Sequence, residues 1–470
     1  AYTIEPPEPA PNQPAQEEAQ QLEEMRAHIR TIPKATTGLS TQSAAITVET
    51  AQALPATSGM WISQGPGPTQ NGQVENVSPN NEVVGAVHTV VAHPTDPDIL
   101  WIGAANGGIW RTNNATAASP AWVPLIDNFP SLSIGAMEMD PTDAGNQTLV
   151  AGIGHFSAFT NRPGGPFIGL LRTIDGGANW TNIGQADLGG RNITGVGPRG
   201  NTIVVSASTR SNGTNPGVYR STDGGSSFDL ISGTNGLPTG SAFDLVGDPG
   251  NANRFYTGLQ AGVFRSDDGG LNWTDITDAA IAALAGGTTN NIEFAVHNDT
   301  AAGTNAVYAA IINNGQLAGL FRSTDQGGNW TAMDVPQTNE GGPIVGLQPR
   351  EKPGSQGATH FSILADPNDA NIVYVGGDRQ ATNAGPDMIL GTNDDTWPNS
   401  IGATNFTGRL FRGDASVAPT GGVPSPQWEH LTHSNAVAAI PGGGTASSSS
   451  PHADSREMVF DATGDIIEGD

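Results

Sequence analysis

The sequence predicts an all-β fold, a β-propeller of four-stranded blades, and three observations carry that expectation. A turn pattern recurs four times at near-regular spacing. A strand, an Asp-Pro-like turn and a second strand recur upstream of it. The 470 residues include 63 glycines and 34 prolines, which suits a chain with many turns, and no Gly-x-y period points to collagen.

The turn pattern is Ser/Thr-x-Asp-x-Gly-x-x-aromatic. It occurs as Thr173-Ile-Asp175-Gly-Gly177-Ala-Asn-Trp180, Ser221-Thr-Asp223-Gly-Gly225-Ser-Ser-Phe228, Ser266-Asp-Asp268-Gly-Gly270-Leu-Asn-Trp273 and Ser323-Thr-Asp325-Gln-Gly327-Gly-Asn-Trp330. An arginine precedes each: Arg172, Arg220, Arg265 and Arg322. The aspartate accepts backbone N–H groups across a hairpin turn. The glycine takes a conformation other residues avoid, and the aromatic packs between sheets. The upstream repeat reads Leu245-Val-Gly-Asp248-Pro249 before Phe255-Tyr256-Thr257, and Ile363-Leu-Ala-Asp366-Pro367 before Ile372-Val-Tyr374. Together the two repeats make units of four strands, about 45–60 residues long, which is the signature of propeller blades.

On these residues the chain resembles the Asp-box (bacterial neuraminidase repeat) propellers over residues 61–470. That superfamily includes sialidases, xyloglucan-degrading glycoside hydrolases, the sortilin ectodomain and a photosystem II assembly factor. The repeats set six blades at 88–123, 134–183, 193–231, 243–276, 292–334 and 361–431. The first has a degenerate turn at Arg111-Thr112-Asn113-Asn114, and the sixth has Arg412-Gly413-Asp414 in the same place. A seventh blade begins at 455–461 and 465–468 and lacks its outer strands. Trp61-Ile62-Ser63 is expected to add one, and a second chain or a continuation beyond Asp470 the rest.

Residues 1–59 form a separate arm. Residues 1–16 hold five prolines; 15–31 predict a short helix with Leu22, Met25, Ile29 and Ile32 on one face; 34–59 read as a linker. Residues 60–470 are the propeller domain.

The net charge is −26, with Lys34 and Lys352 the only lysines, so nucleic acid is not an expected partner. No apolar run approaches the ~18 residues of a membrane span. The absence of cysteine excludes disulfides, thiol catalysis and Cys-zinc sites. The composition reads as an exported, secreted or cell-surface bacterial protein whose signal peptide has gone.

In a propeller the first strand of each blade lines the central channel. Aligning these strands on their Asp-Pro turns brings His88, Glu138, Asp244, Glu293, His360, Asp454, Arg456 and Glu457 to one mouth. The densest group is His452, Asp454, Arg456 and Glu457, after a Gly/Ser loop at 442–450 that reads as a lid. As a catalytic set, His452, Asp454, Arg456, Glu457, Asp244, Glu293 and His360 supply carboxylates for acid/base work, histidines as proton shuttles and an arginine for an acidic or hydroxylated ligand. A polar, water-filled channel gives the same pattern. Asp387, Asn393, Asp394 and Asp395 form an oxygen-rich loop suited to Ca²⁺; no organic cofactor is expected.

The resemblance implies a glycan ligand and a glycoside hydrolase or polysaccharide lyase. Two family motifs are not matched. The sialidase Arg-Ile-Pro has only Arg30-Thr31-Ile32-Pro33 as a counterpart, in the arm. The xyloglucanase acid before Gly-Gly-aromatic-Arg falls on Ala105, in Ala105-Asn106-Gly107-Gly108-Ile109-Trp110-Arg111. A non-catalytic binding module and an assembly scaffold that pairs through an open last blade therefore stand beside the enzyme.

Overall fold

The computed structural model describes residues 85–156, 164–210, 213–338, 345–347, 356–379, 408–423, 425–432 and 451–470. The predicted helix, Trp61-Ile62-Ser63, the 442–450 loop and the calcium candidates Asp387, Asn393, Asp394 and Asp395 lie outside them.

The described residues form six antiparallel four-stranded sheets, each a simple meander. Blade 1 runs through Val87–Ala92, Leu100–Ala104, Gly108–Thr112 and Trp122–Pro124. The first strands of blades 2 to 6 are Ile134–Met139, Asn192–Arg199, Ala242–Asp248, Thr289–Asp299 and Ser362–Ala365. First strands of successive blades pack side by side around an axis. Among the described residues the helices are two single turns, Gln185–Leu188 and Ala279–Ala282.

The expected seventh blade is not there as a blade. Among the described residues the four-stranded sheets number six, and the remaining arc holds a two-stranded hairpin, Glu457–Phe460 with Ile466–Gly469. The turn between them is built on Asp461, whose Oδ1 accepts Thr463 N and Asp465 N. The hairpin nevertheless closes the ring. Val87 N donates to Asp470 O (2.8 Å), Val90 N donates to Glu457 Oε2 (2.6 Å), and the Ser455 and Ser362 hydroxyls meet at 2.6 Å.

Apolar layers between blades supply the main driving force, at roughly 1.5–3 kcal/mol per buried large side chain. Trp101, Ile109, Ile134, Leu149 and Leu171 fill the junction of blades 1 and 2. Tyr256, Val263, Ile292, Phe294 and Phe321 fill that of blades 4 and 5. Near the axis the blades converge and only small residues fit. A Cβ on Gly195 would stand 2.8 Å from Leu245 Cβ in the next blade.

The four repeated turns share one hydrogen-bond set. In blade 4, Ser266 Oγ donates to Asp268 Oδ1 (3.0 Å) and accepts from Gly270 N (2.9 Å). The Asp268 carboxylate also takes Asn272 N and Nδ2 at 2.8 and 2.7 Å. Thr173/Asp175, Ser221/Asp223 and Ser323/Asp325 repeat it. Gly270 sits at φ +79°, and a methyl there would stand 2.6 Å from Val204 of blade 3. In the degenerate turns, Asn114 Oδ1 takes the aspartate's part toward Thr112 and Ala121, and Asp414 accepts from Ser416. Arg412-Gly413-Asp414 thus ends the third strand of blade 6, Gly408–Asp414, and leads into its turn.

The arginine before each turn reaches into the following blade. Arg111 Nη1 donates to Gly176 O (2.8 Å), Arg220 Nε to Gly269 O (2.7 Å) and Arg265 Nη1 to Gln326 O (2.7 Å). Arg322 grips Ala370 O and Asn371 Oδ1, each at 2.9 Å from Nη2. Arg172 lies against Gly224 in the equivalent place. The repeated arginine is therefore an inter-blade latch.

Asp268 is exposed and spends its carboxylate on its own turn. Asp268→Ala is expected to cost about 1–2 kcal/mol, the range for losing a capping-type hydrogen bond. Thermal melts should show the loss while any activity per folded molecule stays constant.

Candidate functional site

The structure brings most of the predicted residues to the end of the channel where the first strands begin, in two connected groups. The first is acidic. Asp244, on the first strand of blade 4, accepts Leu245 N (2.7 Å) and Phe294 N of blade 5 (2.9 Å). Glu293, on the first strand of blade 5, is near enough for the two carboxyls to act on each other's ionisation. Two neighbouring carboxyls resist ionising together. Burial pushes Asp244 up to about 7, against the restraint of its backbone donors. Burial and then the Asp244 charge raise Glu293 well above the usual carboxylate range. Glu293 Oε1 accepts Asn291 Nδ2 (2.6 Å), and Asn291 Oδ1 accepts Arg210 Nη2 (2.9 Å), so the pair is wired to a guanidinium.

Glu457, on the closing hairpin, completes this group. It is pushed up to about 7 by burial, against hydrogen bonds from Thr89 and Val90, with Asp244 and Glu138 adding like-charge repulsion. Glu138 itself is paired with Arg199 at 2.7 Å.

The second group is a relay of Asp454, His360 and Arg456. His360 Nδ1 lies 3.1 Å from Asp454 Oδ1 and 2.8 Å from Gln356 Oε1. Its Nε2 lies 2.9 Å from Arg456 Nη2. A guanidinium can only donate. Nε2 is therefore the acceptor, and Nδ1 carries a proton toward Gln356 Oε1 and Asp454 Oδ1. Burial opposes ionisation of Asp454, but His360, Arg456 and His452 outweigh it and hold the carboxyl down at about 2. Asp454 sits at φ +79°, a backbone region that Asp enters more readily than most residues. His452 stands beside this relay with Nδ1 2.8 Å from Ala453 O.

Phe156 joins the two groups. His88 stacks on its ring (centroids 4.2 Å apart), the Arg210 guanidinium lies 5.3 Å from the ring centroid, and Arg456 Nη1 donates to its carbonyl (2.6 Å). Alignment on first strands could not have found Phe156 or Arg210, because both follow the second strands of their blades. Asn291 was findable, two residues before Glu293, but its polar amide carries no titration signal.

Among the described residues no group of three or more His, Asp or Glu side chains is arranged to hold a metal ion. A separate cleft of about 670 Å³ opens on the outer side of blade 3, lined by Asp187, Arg191 and Tyr219. Its charged groups are engaged internally, Asp187 with Phe228 N and Arg191 with Tyr219 Oη and Gly189 O.

No family profile matches the chain. Three curated relatives are xyloglucanases. One from Hypocrea jecorina is 25% identical over 240 residues, covering 47% of this chain and 25% of that protein. One from Acetivibrio thermocellus is 24% identical over 222 residues, covering 39% and 25%. One from Paenibacillus sp is 23% identical over 262 residues, covering 53% and 21%. The chain thus spans about a quarter of the length of these relatives. Among solved structures it is similar to an ancestral GH74 enzyme (TM-score 0.45, 17% identity, 81% of this chain and 48% of that one). It is also similar to YCF48 bound to D1 peptide (TM-score 0.38, 12% identity, 80% and 88%). Among the described residues no helix is long and apolar enough to cross a membrane.

Proposed function

We propose that this protein is an exported propeller of the Asp-box type that hydrolyses glycans at the mouth of its central channel. The observation that carries this reading is the trio Asp244, Glu293 and Glu457, three carboxyls held in one channel with their ionisation delayed toward neutral pH. The similarity to xyloglucanases supports a glycan as the ligand class. In the reading, the protonated member of the Asp244–Glu293 pair is the general acid. It delivers its proton to the glycosidic oxygen as the C–O bond breaks, and Glu457 takes a proton from the attacking water.

A second reading, a channel that binds glycans without cutting them, is favoured by one feature. Asp244 and Glu457 each spend a carboxylate oxygen on a backbone N–H of a neighbouring blade. A panel of soluble polysaccharides, scored for new reducing ends and for binding in parallel, separates the two. Cleavage supports hydrolysis, binding alone supports the module, and neither overturns both.

A further inference from the structure

Phe156 follows the second strand of blade 2 and is only 3% exposed, yet it lies outside the apolar layers described between the blades. Its ring meets polar groups and bare backbone instead. His88 of blade 1 stacks on it with centroids 4.2 Å apart, and the Arg210 guanidinium of blade 3 lies 5.3 Å from its centroid. A Cβ on Gly135 or Gly154 would stand 2.7 or 2.8 Å from ring atom Cε2, so the seat of the ring needs glycine at both. Arg456 of the closing hairpin holds the Phe156 carbonyl with Nη1 (2.6 Å) and reaches His360 of blade 6 with Nη2 (2.9 Å). Arg210 reaches Asn291 of blade 5 at 2.9 Å. Every sector of the ring except blade 4 is thus tied to this one side chain, directly or through an arginine.

The order of residues along the strands sets the depth of Phe156. First strands begin at the mouth. The residue near Phe156 or its arginines precedes the residue at the carboxyls each time: His88 before Thr89 and Val90, Gly135 before Glu138, Asn291 before Glu293, and Arg456 before Glu457. Phe156 therefore lies on the mouth side of Asp244, Glu293 and Glu457. At the turn end Glu138 and Arg199 pair between blades 2 and 3 at 2.7 Å, so a polymer approaching from there meets an ion pair. Burial is the largest cause of the raised ionisation of all three carboxyls, which is what a closed mouth produces. The closed arrangement also leaves groups unsatisfied. His88 Nδ1 and Arg456 Nε are buried without a hydrogen-bond partner. Moving the ring aside would give both nitrogens water, which offsets part of the cost of exposing an aromatic side chain.

We propose that Phe156 is the gate of the channel mouth: seated between His88 and Arg210 it bars a glycan from Asp244, Glu293 and Glu457, and a glycan reaches them only when the ring swings aside. This rests on the hydrolytic reading above and assigns the residue that governs access to that site. Phe156 takes no part in bond breaking. Only the open form binds, so apparent affinity is lowered by the fraction of molecules that are open. With about a tenth of the molecules open, removing the ring raises apparent affinity about tenfold.

The test compares the full chain with its Phe156→Ala variant in two parallel measurements. One is pulse labelling of carboxyls with a water-soluble carbodiimide and glycine ethyl ester, read by peptide mass spectrometry. The other is binding and reducing-end release on the polysaccharide panel, xyloglucan included. The expected result is about tenfold faster labelling of Asp244, Glu293 and Glu457, with about tenfold stronger binding or faster cleavage at low substrate. Asp248, buried beside Arg254 at the turn end, should label as before. Circular dichroism and a thermal melt verify folding. Phe156→Leu, which keeps apolar volume in the seat but loses the ring stack, should give a smaller rise at the same three carboxyls and serves if the alanine variant does not fold. Unchanged labelling of the three in a folded variant overturns the proposal and leaves the hydrolytic reading to the wild-type assay. A rise that includes Asp248 marks general loosening and also overturns it. So does faster labelling with no gain on a polysaccharide that the wild type binds. If labelling rises at the three carboxyls and neither protein binds or cuts any polysaccharide, the ring still gates the channel and the hydrolytic reading falls.

Discussion

Glu293→Gln should reduce polysaccharide cleavage by about 10²–10⁴-fold, the range for losing a positioned acid or base. Gln is nearly isosteric and its carbonyl oxygen can still accept Asn291 Nδ2, which donates to Glu293 at 2.6 Å. The amide cannot release a proton, and Glu293 is the carboxyl that burial and then the Asp244 charge raise well above the usual range. Residual cleavage should therefore lose the alkaline limb that its ionisation sets. The measurement is a pH–rate profile of reducing-end release beside a thermal melt. Unchanged rates in a folded variant would rule out the carboxyl pair as the acid.

Stability should fall as pH rises through neutrality. Asp244 and Glu457 are pushed up to about 7 in the folded chain and Glu293 is raised too, whereas unfolded carboxyls titrate near 4. A raised folded pKa means the native state binds more protons than the unfolded one between those values. The stabilisation is complete below about pH 4 and is lost as pH climbs through about 7. At about 1.4 kcal/mol per unit, discounted for partial solvent access, the loss from pH 4 to 8 is on the order of 4 kcal/mol. Asp454 acts in the opposite sense and in another window. Its carboxyl is held at about 2, so its contribution persists above pH 4 and disappears only on strong acidification. Urea titrations at pH 4, 6 and 8 read the trend, and Asp244→Asn should flatten it. A midpoint that rises from pH 5 to 8 would contradict the burial assigned to these groups.

Much of the fold was legible because its rim repeats. Each turn needs Ser or Thr, Asp and Gly at fixed offsets for one hydrogen-bond set, and the latch needs the arginine before it. Even the degenerate turn of blade 1 kept Thr112 and Asn114 in the working positions. Blade closure was less legible, because 455–468 resembles the first half of a blade and the sequence does not show where pairing stops. At the site, Asp244, Glu293, His360 and Glu457 were found since their strands share a register marker. Arg210 and Phe156 were missed since they lie just beyond strand ends, where no period constrains the chain. The meaning of Asp454 and Arg456 lay in His360, 96 residues from Arg456.

The latches also set how the ring comes apart. They run one way, from blade 1 through blade 6, each arginine handing its donors to the neighbour ahead. Such a series behaves as a nearest-neighbour chain whose links fail individually. Arg412 breaks the sequence, spending its side chain on Tyr374 within its own blade. Val87, Val90 and Ser362 tie the hairpin by hydrogen bonds, and Val459 and Ile467 pack with Val87, Val90 and Ile102 of blade 1. The seam therefore sits at the hairpin. Its amides should exchange with solvent at lower free energy than those of blades 3 to 5, so the circle opens there first and unwinds from a defined end, like a belt from its buckle.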